Sequence, residues 1–122
     1  MKITLTLLTL LVAAVPVLAH ENHDQPKHGG VVADAAQYQA ELVARPEQLT
    51  LILTEHGAPL ATAGGSAKLT LLAGGRKSEV SLAPAGGNRF EAKGSFNVRG
   101  AKVIAAISLP GKPAKTLRYA LD

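Results

Sequence analysis

This 122-residue chain has four histidines, His20, His23, His28 and His56, and the first three fall within one short polar tract where their imidazoles could act on one ligand. Imidazole is the commonest protein ligand for borderline divalent metals, and a short His-rich tract is a compositional signal for metal binding. The tract reads His20-Glu21-Asn22-His23-Asp24-Gln25-Pro26-Lys27-His28, so carboxylates lie beside the imidazoles. Such a nitrogen and oxygen set suits exchangeable Cu(II), Zn(II), Co(II) or Ni(II). The chain has no cysteine, and its one methionine is Met1, so the soft sulfur ligands that favour Cu(I) are missing. The spacing matches neither a zinc finger nor a metalloprotease helix. The square-planar amino-terminal copper and nickel site needs histidine third in the chain, and counting from His20 that place is taken by Asn22.

The ligand value of His20 depends on where the chain is cut. Lys2 gives a positive start, Ile3 to Val15 is apolar apart from threonines, and Pro16-Val17-Leu18-Ala19 ends in the small residue that signal peptidase requires. The stretch is short for a membrane span, which needs about 20 apolar residues. Residues 1–19 are therefore expected to be a cleavable secretory signal that delivers the protein to the periplasm with no stable membrane anchor. With His20 freed as the first residue, its α-amine and ring nitrogen could chelate one ion. Losing Lys2 lowers the formal net charge from +4 to +3.

Other chemistries are poorly supported. A nucleophilic triad needs a hydroxyl or thiol beside an oriented histidine and a carboxylate. The only histidine beyond the N-terminal tract is His56, between Glu55 and Gly57 in an expected turn. Neither Gly64-Gly65, Gly74-Gly75 nor Gly86-Gly87 opens a helix or precedes Lys-Ser/Thr, so they read as turn glycines and not as a phosphate loop. No enzymatic activity is expected. Ten lysines and arginines from Lys68 to Arg118 are scattered without forming a run, which argues against a nucleic-acid partner and for mixed solvated strand faces.

The chain that carries these histidines reads as a succession of strands. From Tyr38 onward, apolar and polar residues alternate, broken by Gly and Pro clusters. Tyr38, Ala40, Leu42 and Ala44 share one face, with Gln39, Glu41 and Val43 on the other. Leu49, Leu51 and Leu53 follow after an Arg45-Pro46-Glu47-Gln48 hairpin loop. Ala67, Leu69 and Leu71 then lead through Gly74-Gly75, which supplies the positive φ a tight hairpin needs, to Val80 and Leu82. A short strand near Arg89 to Lys93 precedes the stripes Val103, Ala105, Ile107, Leu109 and Leu117, Tyr119, Leu121. About seven strands with no helical periodicity predict an all-β fold, an immunoglobulin-like antiparallel β-sandwich. The expected organisation is a signal over 1–19, a flexible His-rich arm over 20–30 hinged at Gly29-Gly30, and the sandwich over 31–122.

Taken together, His28-Gly29-Gly30-Val31-Val32, Tyr38-Gln39-Ala40-Glu41-Leu42-Val43, the strand Leu49-Thr50-Leu51-Ile52-Leu53 and the turn His56-Gly57-Ala58-Pro59-Leu60 resemble small periplasmic proteins that accompany heavy-metal efflux systems. They are also similar to the β-rich N-terminal domain of cobalt-zinc-cadmium efflux membrane-fusion proteins. The turn departs from the acidic-Gly-Lys-Pro form usual there, and the hairpin, lipoyl and barrel parts of an adaptor are not in these 122 residues. The resemblance implies an accessory to metal resistance that captures or buffers a divalent cation or hands it to an efflux complex. Two other readings stand beside it. One is a copper-resistance sandwich holding Cu(II) through His20 and His56, and the other is an interaction module in which the histidines are incidental.

Overall fold

The computed structural model describes residues 25–122, which form nine antiparallel strands and no helix. They are β1 (Val31–Asp34), β2 (Gln39–Arg45), β3 (Gln48–Glu55), β4 (Ala58–Pro59), β5 (Ser66–Ala73), β6 (Arg76–Pro84), β7 (Arg89–Lys93), β8 (Lys102–Ser108) and β9 (Lys115–Ala120). The hydrogen-bonded order is β1-β2-β3-β7-β6-β5-β8-β9, with β4 paired to β3 beside this path. β6 joins the two halves: Arg76 to Leu82 pair with β5, while Ala83 and Pro84 pair with β7. The first and last strands of the path, β1 and β9, pack against each other, so the sheet curls into a nearly closed barrel.

The alternation in sequence becomes the division between inside and outside. Ala40 and Leu42 of β2, Leu49, Leu51 and Leu53 of β3, and Leu69 and Leu71 of β5 are buried, as are Phe90 of β7 and Val103, Ala105 and Ile107 of β8. Two strands exceed the seven expected. β1 is a four-residue edge strand whose Val31-Val32-Ala33-Asp34 does not alternate, and it exists through its register with Gln39 to Leu42. β4 is two residues long and is folded back onto Thr54 and Glu55 by the turn at His56-Gly57.

Turn chemistry sets the register. Gly74 and Gly75 adopt φ of 58° and 76° between β5 and β6, the left-handed pair that matches hairpin twist. His56 and Gly57 do the same between β3 and β4, with φ of 50° and 80°. Histidine is among the few side chains that enter this region with any frequency. Across the seam, the Tyr119 hydroxyl donates a buried hydrogen bond of 2.9 Å to the Ala40 carbonyl, tying β9 to β2.

Candidate functional site

The outward face of β2 carries Gln39, Glu41, Val43 and Arg45, and a carboxylate there would ordinarily be solvated. Glu41 is instead buried, with 6 % exposure, because the chain entering β1 lies over it. Its two oxygens accept four hydrogen bonds. Oε1 takes the Lys27 amide at 3.0 Å and the His28 Nδ1 at 2.9 Å, while Oε2 takes the His28 amide at 2.8 Å and the Gly30 amide at 2.9 Å. Successive backbone N–H groups converging on one anion form a nest, in which oriented amides stabilise negative charge. Burial pushes the Glu41 carboxyl up, but the His28 ring and the three amides outweigh it and hold the group below the usual carboxylate range.

The His28-Gly29-Gly30 sequence makes this wrapping possible. Gly29 sits at φ of 77°, in the left-handed region. At Gly30 an added Cβ would lie 2.3 Å from the Leu42 carbonyl oxygen, so any side chain would drive the segment off β2 and away from Glu41. The described part of the segment expected to be a flexible arm, residues 25–30, is thus clipped to the barrel.

The clip also orients the histidine. With Nδ1 facing a carboxylate, the neutral His28 ring carries its proton there and leaves the Nε2 lone pair uncommitted to Glu41. A carboxylate behind one ring nitrogen is the usual support for a histidine whose other nitrogen binds metal, since it fixes the tautomer and the orientation of the ring. The His28 side chain is 42 % exposed. It borders an open bowl of about 370 Å³ on the β2-β3-β7 face, floored by Val43, Thr50 and Ile52 and rimmed by Arg45, Gln48 and Arg89.

The other expected ligands fall differently. His20 and His23 lie outside the described residues. His56 is exposed at the tip of the β3-β4 turn. Its neighbour Gly57 shares a narrow cleft of about 30 Å³ with His28, so the turn and the clipped segment are adjacent. Among the described residues no group of three or more His, Cys, Asp or Glu is arranged to hold a metal ion. The sequence places Glu41 on the outward face of its strand and gives it no role, because its neighbours Val32 and Ile52 are set by strand pairing and not by nearness in the chain.

No protein-family model matches this chain, and neither a curated protein nor a solved structure does.

Proposed function

We propose that this protein is an exported binder of a divalent transition metal, Cu(II), Zn(II), Co(II) or Ni(II), serving as a periplasmic accessory to heavy-metal efflux by capturing, buffering or handing over the ion. The observation that carries the reading is the Glu41-supported His28 ring, whose Nε2 is free of the clip. His28 is the ligand fixed to the rigid body, and His20 and His23, with the α-amine if cleavage follows Ala19, complete the set from the preceding segment. The barrel, which the sequence reads as an immunoglobulin-like sandwich, is the mount. Few protein ligands and open coordination positions suit an exchangeable carrier better than a closed four-coordinate site. Resemblance to the efflux proteins supports the accessory role, and no catalytic step is assigned.

Gly57, next to His56, lines the same cleft as Gln25 and Lys27, and this nearness to the chain leading from His20 supports a second reading, in which Cu(II) is held between the amino-terminal His20 and His56. Native mass spectrometry of protein recovered from the periplasm, followed by Zn(II) and Cu(II) titration, tests both. Wild type should retain one ion at low micromolar metal. His28→Ala should lose it if the clip histidine is the anchor, whereas His56→Ala alone should lose it in the copper reading. Glu41→Gln should weaken binding about 10- to 100-fold, as loss of an outer-shell carboxylate does. Retention equal to that of a His20, His23, His28 triple alanine variant would sink the proposal.

A further inference from the structure

The bases that look scattered in the sequence are gathered by cross-strand register. On β5, Lys68, Thr70 and Leu72 face outward. Opposite them on β6 stand Ser81, Glu79 and Lys77, on β8 Ala106, Ile104 and Lys102, and across from β8 on β9 Thr116, Arg118 and Ala120. Four strands at about 4.8 Å and three residues per strand at about 6.8 Å intervals make a face of about 14 by 14 Å. Lys68, Lys77, Lys102 and Arg118 all lie on it and are all exposed. Glu79 is its one acid, bridging Lys68 at 3.0 Å and Lys77 at 3.9 Å, so the face keeps a surplus of positive charge. At about one to two Debye lengths apart in physiological salt, these charges are largely screened from one another and add independently on an extended anionic surface.

The apolar members of the same face decide what kind of anion it fits. Leu72 is 40 % exposed, the one large hydrophobic side chain so exposed among the described residues, and Ile104 beside it is half-buried. Together with Lys102 and Arg118 they line a shallow cleft of about 300 Å³. A nucleic-acid platform would offer aromatic rings for stacking, and this surface offers none, since Tyr119 is turned inward and buried. Cations interleaved with aliphatic side chains on a flat face suit the headgroup layer of an anionic bilayer, where lysine and arginine stems lie along apolar surface and their heads reach phosphate.

We infer that the outer face of β5, β6, β8 and β9 docks the protein reversibly and peripherally on anionic lipid, through Lys68, Lys77, Lys102, Arg118 and Leu72. This inference does not rest on metal binding. It is consistent with the described residues containing no helix able to cross a membrane, because peripheral attachment needs none.

The test is co-sedimentation of protein purified from the exported fraction with vesicles of phosphatidylcholine plus phosphatidylglycerol, against phosphatidylcholine alone. Wild type should partition only onto the anionic vesicles, and salt should release it. Each lost charge should cost about five-fold, so the Lys68→Gln, Lys102→Gln, Arg118→Gln variant should bind about 100-fold more weakly. Leu72→Gln should lose a few-fold, and Lys93→Gln on the opposite face should bind like wild type. Circular dichroism establishes that each variant is folded, and the three single substitutions supply the same answer if the triple is not. Equal binding to both vesicle types, insensitivity to the three charges, or tighter binding of a DNA duplex through the same residues would each overturn the inference.

Discussion

The two outer faces of the barrel solve the exposure of a polar sheet in opposite ways. On β2 and β3 the incoming chain folds over Glu41, and that carboxylate becomes a buried anchor with every oxygen occupied. On β5 and β8 Leu72 and Lys102 are exposed, with Thr70 and Ile104 half-buried between them. Stability therefore resides on the covered face and recognition on the bare one. Removing a polar group from the covered face leaves amides without an acceptor, while removing one from the bare face changes only what the surface can attract.

The covered face is most sensitive at its anchor. Glu41→Ala should cost about 3 kcal/mol of unfolding free energy, since it removes the shared acceptor that holds Lys27, His28 and Gly30 to the barrel, and urea denaturation reads it directly. Gly30→Ala should cost about 2 kcal/mol by the same measurement, because a Cβ at 2.3 Å from the Leu42 oxygen must displace backbone. A smaller effect appears with pH. Glu41 has a depressed pKa in the folded state, so its contribution is complete above the ordinary carboxylate value and is lost as pH falls through the folded value. The urea midpoint of wild type should therefore fall in acid more steeply than that of Glu41→Gln, and parallel acid limbs would show that Glu41 does not couple. Smallest of all, Lys68→Gln and Leu72→Gln on the bare face should stay within about 0.5 kcal/mol of wild type. A larger loss at Leu72 would mean that this face, too, is structurally covered.

Period-two patterning made the interior readable in advance. Leu49, Leu51 and Leu53, and Val103, Ala105 and Ile107, all point inward because alternation at a buried face leaves one register that keeps them from water. The Gly74-Gly75 turn was readable for a similarly local reason, the steric freedom of glycine at positive φ. Relations between distant segments were not. Nothing near Glu41 announces that its partners are Lys27, His28 and Gly30, 11 to 14 positions earlier. Lys68, Lys102 and Arg118 become neighbours only once β5, β8 and β9 are laid side by side. The histidine tract was legible as composition, yet its division into a clipped His28 and a preceding stretch depends on that distant carboxylate.

The hydrogen bond from Tyr119 to the Ala40 carbonyl spans 79 positions of chain. Contacts of such separation form late, because the intervening loop must lose its freedom before the contact can repay it. The β1-β2-β3 hairpins pair over short separations, so the wrapping of Glu41 does not require the seam to be closed. Any opening of that seam bares the edges of β1 and β9 while leaving the histidine clip intact, so the seam is where proteolysis and edge-to-edge aggregation would begin.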